Sequence, residues 1–455
     1  MESHIEVSDE LAEFSGSLCS FGDSLLRAGG PDRKKSTEED RADGLAWAKC
    51  EMRGWRENME DASIAMPAGY LGGAFRDAAI FGVFDGHGGE QVSRYVARKL
   101  PGVLAELPAG DPEDALRAAF ARLDELLWQP AVARELVELT HPQNQPQSSA
   151  DRCGSTAVCC LVRGNELLLA HAGDSRAVLC RSGEAIALTE DHKPNLPVET
   201  ARIEAAGGYI VEEELLSGMS YRVNGDLNLS RALGDLHYKK DVKRPPAEQL
   251  ISGIPDTTKL TWSAGVDEFV LLACDGVWEC MSPQEAVNFV RRRLPPPGPQ
   301  QLLAPVLEAL LDECCAAHPK QRGGLGCDNI TAVLVRFEDP EAIAAASEML
   351  EEVQERTLEG ASGRRLEAAL GEVLQRLSNE KRYGKREETA EEKKARRAAE
   401  KEEKEEVEYR AKQERESKER RKRREEQKLK EGAPKKARMS CALEDDDADE
   451  EDCDW

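Results

Sequence analysis

Glu166-Leu167-Leu168-Leu169-Ala170-His171-Ala172-Gly173-Asp174-Ser175-Arg176-Ala177-Val178-Leu179-Cys180 sets two short apolar runs on either side of a four-residue polar turn. Runs of this length read as strands, and a turn this short joins neighbouring antiparallel strands, because a parallel pair needs a crossover of about a dozen residues. A doubly wound parallel fold is thereby disfavoured. Working outward, apolar runs recur at 78–84, 157–162, 269–273 and 330–337. Helical spacing appears after Gly89 (Val92, Tyr95, Val96, Leu100) and over 112–128, 198–206 and 283–294. The pattern implies an α+β domain over 44–339 in which antiparallel sheets are flanked by helices.

The flanks differ from this domain. Residues 1–43 are polar and broken by Gly29-Gly30-Pro31-Asp32, so they read as an extension. Residues 340–380 carry two short apolar stripes, Met349, Leu350 and Val353 then Leu366, Leu370, Val373 and Leu377, each too brief for a coiled coil. Residues 381–455 form a charged tail, either a solvated helix held by i,i+4 pairs or disordered. The chain carries a formal charge of −25 although 381–438 is locally basic, so the folded part is acidic, which argues against nucleic-acid binding by charge alone. Thirteen cysteines without a CxxC pair fit neither a zinc site nor a disulfide framework, which points to a reducing intracellular compartment, cytoplasm or nucleus. No export signal, acylation motif or membrane-length apolar run is read.

Chemistry-bearing residues sit at strand ends. Asp85-Gly86-His87-Gly88-Gly89 follows the strand 80–84, Asp275-Gly276 follows 269–273, and Asp328-Asn329 precedes 330–335. Glycines let the backbone bend so that a carbonyl and the Asp85 carboxylate face one hard cation, with His87 beside them as a proton donor. Together with Glu60-Asp61 these groups form the oxygen-rich set that Mg²⁺ or Mn²⁺ prefers. Any one of these carboxylates alone is more often an ordinary turn cap.

The ordered set resembles the metal-dependent protein phosphatases, the PPM or type 2C family. It comprises Arg53-Gly54-Trp55-Arg56-Glu57-Asn58-Met59-Glu60-Asp61-Ala62, Phe84-Asp85-Gly86-His87-Gly88-Gly89, Gly154-Ser155-Thr156-Ala157 and Ala172-Gly173-Asp174-Ser175-Arg176. It continues through 188–194, 229–235, Asp275-Gly276-Val277-Trp278 and Cys327-Asp328-Asn329. The resemblance implies a four-layer α-β-β-α sandwich with two Mg²⁺ or Mn²⁺ ions at one end. By similarity Asp85 bridges both ions, Gly86 supplies a carbonyl, Asp275 and Asp328 complete one ion, Glu60 reaches the other through water, and Asp61 supports the shell. Arg56 would hold the substrate phosphate and His87 would protonate the leaving serine or threonine oxygen. Asp151 resembles the carboxylate of a weaker third ion, for which Glu279 stands where the family often has aspartate. Asp174, Ser175, Arg176 and His192 are read as turn and loop packing, and 199–231 as the flap beside the site.

The implied activity is hydrolysis of phosphoserine and phosphothreonine in phosphoproteins by a monomeric catalytic domain. A pseudophosphatase that only binds phosphoproteins would usually lack one of Glu60, Asp85, Asp275 and Asp328, and all four are present. The basic clusters Arg420-Arg421-Lys422-Arg423-Arg424 and Pro434-Lys435-Lys436-Ala437-Arg438 are candidate importin or nucleic-acid handles, which leaves a charged scaffold as a third reading. The acidic run 444–454 is a candidate competitor for the metals or for Arg56.

Overall fold

The computed structural model describes residues 30–140, 150–215, 218–295, 302–319 and 324–338. Two antiparallel sheets carry it. One runs, in spatial order, Asp32–Ala42, Leu45–Gly54, Ile330–Phe337, Asp267–Ala273, Arg176–Arg181 and Glu184–Ala187. The other runs Asp256–Thr261, Glu166–Ala172, Ala157–Arg163, Ala79–Phe84 and Ala62–Met66.

Because strand side chains alternate between faces, each central strand feeds two cores. Phe81 and Val83 join Trp47, Val158, Leu169, Val270 and Val333 in the layer between the sheets. Their neighbours Ile80 and Phe84 point the other way, into a cluster with Tyr95, Leu100, Phe120 and Leu123 from the helices Gln91–Glu106 and Pro112–Leu127. On the opposite side Leu271, Leu334 and Met52 pack with Val287, Leu307 and Leu311 from Pro283–Arg293 and Ala304–Cys314. The result is the expected helix-sheet-sheet-helix sandwich. Pro283–Arg293 begins with a capping box, Ser282 and Glu285 each satisfying the other's backbone amide.

Two expectations need correction. The strands Glu166–Ala172 and Arg176–Arg181 are not neighbours: the first pairs with Ala157–Arg163 and Asp256–Thr261, the second with Asp267–Ala273 and Glu184–Ala187. The turn between them carries the chain from one sheet to the other. Gly173 makes the bend with φ +117°, and a Cβ there would lie 2.6 Å from the Thr156 side chain. Both strands are almost wholly buried, so their hydropathy reports burial without reporting which strand lies alongside. The polar stretch read as part of an N-terminal extension also supplies a strand, since Asp32–Ala42 pairs along Leu45–Gly54 at the sheet edge. Its alternating exposure follows from having one face in water, and Arg33 and Lys35 bond Asp312 at 3.1 and 2.8 Å.

Two small sheets lie apart from the main ones. Gly86–His87, Gly154–Ser155 and Leu233–Gly234 form a three-stranded ribbon, and Ile210–Leu215 pairs with Gly218–Val223 in a hairpin within the expected flap. Among the described residues no helix is long and apolar enough to cross a membrane. The stripes of 340–380, the charged tail and most of 1–43 lie outside the described residues.

Candidate active site

Three strand ends bring carboxylates together. Asp85 follows Ala79–Phe84, Asp275 opens the short turn Asp275–Trp278 after Asp267–Ala273, and Asp328 stands just before Ile330–Phe337. Carboxylate oxygens of Asp85, Asp174 and Asp275 lie within 4.8 Å of one another, and Asp61, Asp85 and the Cys274 sulfur meet within the same span. The Asp275 turn is held by the Trp278 indole, which donates to the Ala273 carbonyl at 2.7 Å.

Asn329 laces the loop of Arg53 to Glu60 onto this centre. Its Oδ1 accepts from the Glu60 amide at 2.9 Å, and its Nδ2 donates to the carbonyls of Arg53 and Asn58 at 2.8 and 3.0 Å. Glu60 Oε2 accepts from the Gly89 amide at 3.1 Å, and the Glu60 carbonyl accepts from Ser93 Oγ. Gly86 packs so closely on that carbonyl that a Cβ would overlap it, so glycine is required here. Thr156 joins two of the acidic turns: Asp85 N donates to its Oγ1 at 3.2 Å, and that hydroxyl meets Ser175 Oγ at 2.7 Å.

The electrostatics of the protein alone are unfavourable. Burial, then the charges of Asp275, Asp61 and Asp328, hold Asp85 well above the usual carboxylate range. Asp275 is raised by burial and by Asp328 and Asp174, while burial pushes Asp61 up to about 7. Asp61 Oδ2 is buried without a hydrogen-bond partner. Closely packed carboxylates with unsatisfied oxygen, in reach of a backbone turn free of side chain, are what a hard divalent cation needs, so the residues present fit Mg²⁺ or Mn²⁺.

Arg56 Nη2 donates to Asp328 Oδ2 at 2.6 Å, and the Asp328 charge holds the guanidinium protonated more firmly than usual. His87 Nε2 meets Asp235 Oδ2 at 2.6 Å. Burial alone would depress the His87 imidazolium, but the charge and hydrogen bond of Asp235, aided by Glu60 and Asp174, raise its pKa above the ordinary imidazole value.

Of the two residues assigned to a weaker third ion, Glu279 follows Asp275 by one helical turn, its amide donating to the Asp275 carbonyl at 2.8 Å. Asp151 lies in neither acidic cluster and pairs instead with Lys240 at 3.3 Å. The third carboxylate beside Asp85 and Asp275 is Asp174, buried and bonded to Lys193 Nζ at 2.5 Å. The sequence alone reads Asp174 as a loop residue and gives Asp235 and Asn329, though both lie in the family motifs, no role of their own. For Asp174 the available signal was its position at a strand end, like Asp85 and Asp275.

The family model described as protein phosphatase 2C matches residues 46–322. A probable protein phosphatase 2C 3 of Paramecium tetraurelia is 41% identical over 311 residues, spanning 67% of this chain and 96% of that protein. Protein phosphatase 2C homolog 2 of Schizosaccharomyces pombe is 39% identical over 317 residues, spanning 67% of this chain and 76% of that one. Among solved structures, a phosphatase from a pathogenic strain of Toxoplasma gondii superposes with a TM-score of 0.51 at 25% identity, covering 67% of this chain and 96% of that one. Matched over residues 46–322, more than half of its length, the chain belongs to the protein phosphatase 2C family, which is metal-dependent, and is a serine/threonine protein phosphatase.

Proposed function

We propose that the chain hydrolyses phosphoserine and phosphothreonine esters of proteins with two Mg²⁺ or Mn²⁺ ions held by Asp85, the Gly86 carbonyl, Asp275, Asp328 and Glu60, with Asp61 supporting them. The observation that carries this reading is the convergence of partly buried carboxylates from separate strand ends, raised in pKa by desolvation and by one another and so in need of cationic charge. Bound there, two such ions would lower the pKa of water and supply positive charge to offset the phosphoryl oxygens. Arg56 grips the phosphate with its planar fork, for which lysine is a poor substitute. As the P–O bond to the serine or threonine oxygen breaks, His87 passes its proton to that oxygen, leaving a free alcohol and a neutral imidazole. A weaker third ion would sit near Asp275 and Glu279, with Asp174 a better-supported partner than Asp151.

Hydrolysis of a phosphothreonine peptide should require Mn²⁺ or Mg²⁺, stop with chelator, and vanish in Asp85→Ala and Asp275→Ala. Folded, metal-loaded protein without turnover would instead favour a phosphoprotein-binding role. Outside the described residues, the basic clusters at 420–424 and 434–438 are proposed as handles for an importin or nucleic acid, which would add the nucleus to the cytoplasm as a location. Salt-dependent nucleic-acid binding that disappears when both clusters are neutralised would support the second partner.

A further inference from the structure

Asp235 stands 148 residues from His87 in sequence, yet its Oδ2 lies 2.6 Å from His87 Nε2. Three two-residue strands bring them together: Gly86–His87 pairs with Gly154–Ser155, which pairs with Leu233–Gly234. Asp235 is fully buried, and it holds a left-handed backbone at φ +48°, a conformation that side-chain-bearing residues seldom adopt. Its own amide donates to the Cys153 carbonyl at 2.8 Å. Beneath it Asp124 accepts from the Gly234 amide at 2.8 Å and from Lys239 Nζ at 2.5 Å, so the strained turn is anchored from both sides.

The opposite strand leaves room for this contact. A Cβ on Gly154 would overlap both Asp235 Oδ2 and His87 Nε2, so the space in which carboxylate and ring meet exists only because position 154 is glycine. The other Asp235 oxygen is buried without a partner, leaving the imidazole as the side-chain group its carboxylate meets among the described residues.

We infer that Asp235 is the positioning residue for His87, fixing the ring with Nε2 turned inward and Nδ1 turned to the leaving oxygen. This rests on the general-acid reading of His87. A carboxylate that receives the Nε2 proton selects the ring orientation and keeps Nδ1 as the nitrogen that serves the reaction. Substrates whose departing oxygen is strongly basic, such as serine and threonine, depend on that geometry. A nitrophenolate, which leaves without protonation, does not.

The test compares a phosphothreonine peptide with p-nitrophenyl phosphate in the full chain. Asp235→Asn suits it because asparagine tolerates the left-handed region better than most residues. Its kcat on the peptide should fall about 10- to 100-fold with KM little changed, while turnover of the aryl ester changes less than about threefold. Gly154→Ala, which intrudes on the same contact from the other strand, should give the same split. In a His87→Ala background Asp235→Asn should add no further loss. Equal slowing of both substrates, or an added loss in that background, would overturn the positioning role. A His87→Ala enzyme that slows both substrates alike would instead remove the general-acid reading, and the positioning role with it.

Discussion

Arg56 Nη2 and Asp328 Oδ2 are 2.6 Å apart, so the guanidinium proposed to grip phosphate rests on a carboxylate proposed to hold a cation. Two consequences of opposite sign follow. Arg56→Ala removes charge-assisted bonds of about 1.5–3 kcal/mol to phosphate, which lowers kcat/KM by roughly 10- to 150-fold. The same change takes a competing positive charge off Asp328, so the affinity for Mn²⁺ should rise. Kinetics and Mn²⁺ titration of one preparation check both, and a joint loss of activity and cation affinity would contradict the shared-carboxylate account.

Cation binding should also be visible as stability. Asp85 and Asp275 are held high by burial and by neighbouring carboxylates, so ionising them all in the metal-free protein is unfavourable. Excess Mn²⁺ at about 100 times its Kd would add about 2.7 kcal/mol and raise Tm by several degrees. Asp275→Asn relieves part of the repulsion, so without cation it should melt no lower than the parent while losing most of the Mn²⁺-induced rise. Differential scanning calorimetry with cation and with chelator reads both effects.

Asp174 and Asp151 make a sharper comparison. Asp174 lies within 4.8 Å of Asp85 and Asp275, while Asp151 is half-exposed against Lys240. Asp174→Asn should weaken the lowest-affinity phase of a Mn²⁺ titration at least several-fold. Asp151→Asn should leave every phase within about twofold, because an exposed pair contributes about 0–1 kcal/mol. Isothermal titration of the two variants decides between them.

A buried histidine pair beside Gly173 gives a pH prediction. His171 is 2% exposed, its ring stacked on His192 at 4.5 Å, with Asp256 opposite it in the adjoining strand. Burial, followed by His192, pushes its pKa down to about 3, against about 6.5 for an unfolded histidine. The unfolded chain therefore binds the proton more readily between those values. The stability His171 contributes is present above about pH 6.5 and is lost as pH falls towards 3. His171→Phe should shift the acid-unfolding midpoint, followed by circular dichroism, to lower pH.

Much of the fold was legible because its strands are apolar and their ends are marked by Asp-Gly or Asp-Asn. Asp85, Asp275 and Asp328 each stand at such an end, which a linear pattern can register. Partnership was less legible. Glu166–Ala172 and Arg176–Arg181 look like a hairpin in sequence but belong to different sheets, since burial on both faces erases the alternation that would betray a partner. Asp32–Ala42 escaped notice because an edge strand with one wet face carries the composition of a linker. Asp235 and Asn329 act across 148 and 269 residues of sequence, by contacts that spacing does not encode.

Glu199 ties the start of the flap to its end, where Arg231 reaches the body of the domain, and offers a test of that closure. It is 2% exposed, and its carboxylate accepts from Arg231 Nε and Nη2 at 3.0 and 2.6 Å, Arg202 Nη2 at 2.7 Å and Ser230 Oγ at 2.6 Å. Arg231 in turn donates to Asp256 at 2.7 Å, and Asp256 meets His192 at 3.1 Å. His192 accepts from the Gly173 amide at 3.1 Å, next to Asp174. Glu199→Ala leaves two guanidinium groups short of their shared counterion in a water-poor setting, a change worth about 3–5 kcal/mol. Urea unfolding should show that loss. Hydrogen exchange should show the hairpin of Ile210–Leu215 and Gly218–Val223 opening more readily than the central strands, because the network that fails lies beside the flap. If protection instead fell uniformly across both sheets, Glu199 would be a support of the whole domain and the flap would have no separate anchor.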